Sequence, residues 1–121
     1  MPPQFDREKP IYLQVVDMLI QEIARGIRKE GEKLPSVREL AFQLEVNPNT
    51  IQRVYRELEH KEITITKRGQ GTFVTDDTEK VIALREQLKQ QYIEKFIIDM
   101  HALGFSKEEI VQTLKGGEDH D

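Results

Sequence analysis

Asn49, Thr50, Gln52, Arg53 and Arg56 stand close together in this chain, and amide, hydroxyl and guanidinium groups are the ones that read base edges and hold phosphates. At helical spacing, Asn49, Gln52, Arg53 and Arg56 project from one side with Thr50 near its edge, opposite an apolar stripe of Ile51, Val54, Tyr55 and Leu58. A second polar group follows. Lys67, Arg68 and Gln70 are interleaved with Gly69 and Gly71, whose missing side chains permit unusual turns and close approach to a sugar-phosphate edge. Alone, a Gly-x-Gly turn is more often a plain turn. Directly after a polar-faced helix, it points to a second DNA contact.

Other chemistries find little support. His60, His101 and His120 are far apart and lack metal-ligand spacing with carboxylates on a common face, so neither metal nor cofactor is expected. His60 is expected to end the polar-faced helix, where an imidazolium suits the helix dipole. The acidic run from Glu118 to Asp121 reads as a disordered tail. Zero cysteines exclude disulfides and thiol chemistry. With no nucleophile beside a base, no phosphate loop and no paired carboxylates in a plausible cleft, an enzyme is not expected.

Positioning these groups requires two short helices and a tight turn. Ser36 and Glu39 form a capping box that opens a helix with Val37, Leu40, Ala41 and Leu44 on one face. Asn47 as N-cap and Pro48 at the first helical position open the polar-faced helix. Small Ala41 lets the helices cross closely, and Ile51 fills the angle between them, the geometry of a helix-turn-helix. Ser36, Arg38 and Asn47, at the two helix starts, join the DNA-facing set. Upstream, Met1 to Lys9 reads as a loose arm. A helix from Pro10 to about Arg25, with Tyr12, Val15, Val16, Leu19, Ile20 and Ile23 as its stripe, covers the pair from behind. Ile27 to Lys33 reads as a charged connection. Downstream, Ile63 and Ile65 alternate with Thr64 and Thr66, and Thr72-Phe73-Val74 completes a two-stranded hairpin, a wing. Residues 1–75 are thus expected to form a winged helix-turn-helix domain, mainly α with a small β-hairpin.

Residues 76–121 are expected to add one long and one short helix. Asp76-Asp77-Thr78 caps a helix beginning near Glu79, in which Val81, Leu84, Leu88, Tyr92, Phe96, Met100 and Leu103 recur at three- and four-residue steps. Such a helix is on the order of 38 Å long. Its stripe is too large for a small neighbouring domain to cover, so Leu84, Leu88, Tyr92, Phe96 and Met100 are expected to form a homodimer interface. Gly104 ends it, Ser106 and Glu109 open a short helix carrying Ile110, Val111 and Leu114, and Gly116 to Asp121 is expected to fray. The net charge of −4 belongs to this part. Residues 1–75 hold 12 Lys/Arg against 11 Asp/Glu and residues 76–121 hold 6 against 11, so the phosphate-binding surface is local. No stretch approaches the roughly 18 apolar residues of a membrane span, and no signal peptide is evident, so a cytoplasmic protein without a membrane partner is expected.

The segment LPSVRELAFQLEVNPNTIQRVYRELE, with Pro10-Ile11-Tyr12-Leu13-Gln14-Val15 before it and Gly69-Gln70-Gly71-Thr72-Phe73-Val74 after it, resembles the winged helix-turn-helix domain of GntR-family bacterial transcription regulators. The likeness covers about Lys9 to Thr75. It implies a dimeric regulator that binds a palindromic operator in double-stranded DNA and usually answers to a small-molecule effector. The two-helix remainder resembles the short C-terminal part of the YtrA subfamily, which implies a repressor of a transporter or metabolic operon. Two positions depart from the pattern. Glu45 stands where the turn commonly has Gly, and Pro48 where relatives often have Ser or Arg. The alternative is a protein-interaction scaffold built on the winged helix and long helix, but that would call for an apolar or acidic recognition helix. Which of Arg38 and Arg53 reads a base stays open.

Overall fold

The computed structural model describes residues 3–118. Five helices and one two-stranded sheet follow in the order α1 (Ile11–Ala24), α2 (Val37–Leu44), α3 (Pro48–His60), β1 (Thr64–Lys67), β2 (Gly71–Val74), α4 (Thr78–Ala102) and α5 (Lys107–Glu118). The chain divides into two compact units, Met1–Leu84 and Arg85–Asp121, with the division inside α4.

The first unit is built around α3, which packs against α1, α2 and β1. Val15, Val16, Leu19, Ile20 and Ile23 of α1 meet Leu40, Ala41 and Leu44 of α2 and Ile51, Val54, Tyr55 and Leu58 of α3 in one core. Pro10 sets the start of α1, as its fixed φ favours. The last residues of the expected loose arm are held in place. Gln14 accepts the Asp6 N–H (2.7 Å) and donates to the carbonyls of Asp6 (2.6 Å) and Lys9 (3.0 Å), tying residues 6–9 to the helix.

Helices α2 and α3 end alike. Glu45 (φ 57°) and Glu62 (φ 61°) both adopt the left-handed conformation. Val46 N–H then reaches back to the Ala41 carbonyl (3.0 Å), and Ile63 N–H to that of Leu58 (3.0 Å). These bonds satisfy carbonyls that a helix end leaves open.

The hairpin pairs Thr64 with Val74, Ile65 with Phe73, Thr66 with Thr72 and Lys67 with Gly71. Its inward face differs from the alternation expected: Thr64 is buried and Ile65 is 40% exposed. Directly paired residues share a face, so buried Val74 carries Thr64 inward, and the Ile65–Phe73 pair falls on the other side. A further segment joins the sheet where the sequence reads as a charged connection. Lys33 forms an antiparallel bridge with Phe73, Leu34 N–H donates to the Thr72 carbonyl, and Val74 N–H donates to that of Glu32, both at 2.8 Å. The wing is thereby tied to the residues that lead into α2.

The start of α4 belongs to the first unit. Asp77 Oδ1 accepts the Glu79 N–H at 3.0 Å, Thr78 donates to Glu30 at 2.9 Å, and Lys80 pairs with Glu62 at 3.5 Å. In the second unit, Ser106 and Glu109 exchange the capping-box bonds that open α5. A cleft of ≈ 370 Å³ lies between α4 and α5, lined by Phe96, Met100, Phe105, Glu109, Ile110, Thr113 and Leu114. Helix α5 includes residues 116–118, and the rest of the expected tail lies outside the described residues.

Candidate nucleic-acid interface

Helix α3 has one dry face and one wet one. Ile51, Val54, Tyr55 and Leu58 are buried, Asn49, Gln52, Arg53 and Arg56 are exposed, and Thr50 is half-buried. The helix starts where the sequence places it. Asn47 Oδ1 accepts the Asn49 N–H at 2.8 Å, leaving the Asn47 Nδ2 group to donate. His60 is the last helical residue.

At the start of α2, Ser36 Oγ accepts the Glu39 N–H (3.1 Å), and the Ser36 N–H donates to Glu39 Oε1 (2.9 Å). The backbone bond first, then the hydroxyl, hold the Glu39 carboxyl below its usual pKa. The cap therefore contributes fully above the ordinary carboxylate range, and its contribution is lost as pH falls from there through the lowered Glu39 pKa. Arg38, next to the cap, is exposed. Tyr55 supports this junction from α3 by donating its hydroxyl to the Pro35 carbonyl at 2.6 Å, and burial pushes its pKa up to about 12.

The wing tip is a tight turn closed by Gln70 N–H on the Lys67 carbonyl at 2.8 Å, with Gly69 at φ 78°. Lys67, Arg68 and Gln70 are exposed around it. A side chain at Gly69 would meet nothing within 4 Å, so its backbone conformation alone asks for glycine. At Gly71, with φ 122°, the backbone again asks for glycine, since the Lys33 Cε that a Cβ would meet at 2.9 Å is the end of a flexible side chain that can move aside. Lys67 Nζ lies 4.7 Å from the centroid of the Phe73 ring.

Most of the described basic residues lie outside ion pairs. Ion pairs among the described residues engage Arg28 with Glu22, Lys61 with Glu57, Lys80 with Glu62 and Lys89 with Glu86. Arg38, Arg53, Arg56, Lys67 and Arg68 take part in none of them. What sets them apart is where they stand: exposed on α3, beside the α2 cap and at the wing tip, where a polyanion can meet them.

Two residues near this surface escape sequence reading. Lys33 sits in what reads as a loop, and only its bridge to Phe73 places its stem over Gly71. Tyr12 reads as part of the α1 core stripe but is only half-buried, with the Arg53 guanidinium over its ring. No spacing rule links residues so far apart.

Residues 11–74 match the family model for bacterial regulatory proteins of the gntR family. The chain belongs to the GntR family. It is 39% identical over 125 residues to the HTH-type transcriptional repressor YtrA of Bacillus subtilis, covering 93% of this chain and 92% of that one. A GntR family transcriptional regulator from Listeria monocytogenes superposes with a TM-score of 0.89 at 47% identity, over 93% of this chain and 98% of its own. The AraR DNA-binding domain in complex with an operator superposes with a TM-score of 0.54 at 26% identity, over 62% and 92%. This GntR-family chain is a DNA-binding transcription regulator with a winged helix-turn-helix fold.

Proposed function

We propose that this regulator is a homodimeric, sequence-specific repressor of a palindromic operator. Base reading and phosphate contacts come from Asn49, Thr50, Gln52, Arg53 and Arg56 on α3, with Ser36, Arg38 and Asn47 at the helix starts and residues 67–71 of the wing. The observation that carries this reading is the exposed face of α3, where Asn49, Gln52, Arg53 and Arg56 stand opposite the buried stripe of Ile51, Val54, Tyr55 and Leu58. The repressor named YtrA and the AraR–operator complex support it by similarity.

Pairing runs through Leu84, Leu88, Tyr92, Phe96 and Met100. Helix α4 has no buried residue in the single chain, and Tyr92, Ile93 and Ile98 are each more than half exposed. A second copy is the partner that this stripe fits. Four-residue steps wind it about 160° around the helix between Leu84 and Met100, at 100° per residue. The copies therefore cross at an angle, and a twofold pair matches half-sites roughly one DNA turn apart. A DNA partner places the protein in the cytoplasm, and a small-molecule effector acts by favouring one arrangement of the pair.

Selection of bound duplexes from a random pool tests the reading. The expected result is a palindrome, bound with a steep dependence on salt. Recovery of unrelated sequences at equal affinity would contradict it.

A further inference from the structure

Arg53 is exposed on α3, yet its side chain is not left to wander. The guanidinium carbon lies 3.6 Å from the centroid of the Tyr12 ring on α1. That is stacking distance, well within the roughly 6 Å range of a cation over an aromatic face. Tyr12 itself is only half-buried, whereas Val15, Val16 and Leu19 farther along α1 are buried. The ring thus lies at the rim of the α1–α3 contact rather than in the core.

The geometry of the stack matters for recognition. A guanidinium meets an aromatic ring with its flat face, while its five N–H donors point outward in its own plane. The ring therefore restrains the side chain without occupying any donor, and a planar, preorganised fork is what bidentate contact with a phosphate or a guanine edge requires. We propose that Tyr12 is a positioning residue for DNA recognition: it fixes the Arg53 guanidinium in one plane so that its donors face the duplex. The proposal rests on the reading of Arg53 as a DNA contact. It assigns part of the recognition apparatus to α1, a helix that otherwise serves the core.

The test uses the full chain and a duplex recovered by the wild-type protein from a random pool. Affinity is measured for the wild type, Tyr12→Phe, Tyr12→Leu, Arg53→Ala and the Tyr12→Leu/Arg53→Ala double variant. The expected result is a loss of about tenfold for Arg53→Ala and about threefold to tenfold for Tyr12→Leu, with Tyr12→Phe within about twofold of wild type. The double variant should bind no more weakly than Arg53→Ala alone, because Tyr12 acts through Arg53. Equal losses from Tyr12→Leu with and without Arg53 would overturn the positioning role and leave Arg53 as a DNA contact. No loss from Arg53→Ala would overturn both.

A readout without DNA guards against misfolding of the leucine variant. The Arg53 Nε–H resonance should be displaced by the ring current in the wild type and in Tyr12→Phe. Tyr12→Gln should return it to the position of a solvated arginine. An Arg53 resonance that does not respond to Tyr12→Gln would contradict the stack.

Discussion

The two units of this regulator treat their apolar residues in opposite ways. In Met1–Leu84, three helices and the hairpin bury each other: Val15, Leu19, Leu40, Ile51, Val54, Leu58 and Val74 are at most 1% exposed. In Arg85–Asp121 the only buried residue among those described is Ile110, while Tyr92, Ile93, Ile98, Leu103 and Leu114 are each at least half exposed. The first unit has what a self-sufficient fold needs. The second has the composition of a core without the burial of one, and the difference locates the unsatisfied surface that a second copy would fill.

The sharpest way to break this contrast is to truncate one residue in each unit. Leu58→Ala should cost about 2–5 kcal/mol, because a fully buried leucine leaves a cavity. Ile98→Ala, at a residue 60% exposed and off the pairing stripe, should change stability by less than about 0.5 kcal/mol. Urea unfolding of both variants checks this, and a large loss at Ile98 would show that the second unit holds a core of its own.

A smaller effect belongs to Tyr55, in the first unit alone. Burial raises its folded pKa from 10.0 to about 12. The neutral hydroxyl is the form that the fold favours, so the stability tied to it is fully present below pH 10 and is lost as pH rises through 12. The loss should reach about 2 kcal/mol relative to Tyr55→Phe, read as the difference between the two unfolding curves across this range. Parallel curves for the two proteins would mean that Tyr55 ionises without penalty.

Gly69→Val acts on function rather than on the core. The added side chain meets no neighbour, but a branched residue resists φ 78°. Operator affinity should fall by about tenfold, near 1.4 kcal/mol, while the domain stays folded and loses about 1–2 kcal/mol of stability to the strained backbone. Unchanged affinity would remove the wing from the DNA contact. The smallest expected effect is a gain. Glu45→Gly relieves a left-handed glutamate and should stabilise the first unit by about 0.5–1 kcal/mol, less than the full strain because glycine also loosens the unfolded chain. A loss of stability on thermal unfolding would show that Glu45 contributes more than its backbone costs.

What the sequence reveals depends on how local its cause is. Capping boxes at Ser36–Glu39 and Ser106–Glu109 and the Asn47-Pro48 start act within one helical turn, and all three are visible in the residues alone. The face of Thr64 is not, because its register is set by Val74 across the hairpin. Nor is the Glu32–Leu34 edge, where backbone groups pair and leave no side-chain pattern. Glu62 turns left-handed where no glycine announces it. The polar face of α3 is legible as a set, whereas the restraint on Arg53 depends on a tyrosine from a separate helix. Gln14 and the segment it holds show the same limit.

The central claim, that the second unit completes itself with another copy and so delivers two recognition helices to one operator, is tested most directly by sedimentation equilibrium. Intact protein is compared with a Tyr92→Glu/Phe96→Glu variant, and each is then titrated with the selected palindrome. The account predicts a dimer for the intact chain. For the variant it predicts a monomer that unfolds through the same first-unit transition but binds the full palindrome on the order of 100-fold more weakly, since two charges in an apolar interface oppose pairing. A wild-type chain that stays monomeric at tens of micromolar, and binds the palindrome no better than the variant does, would contradict it.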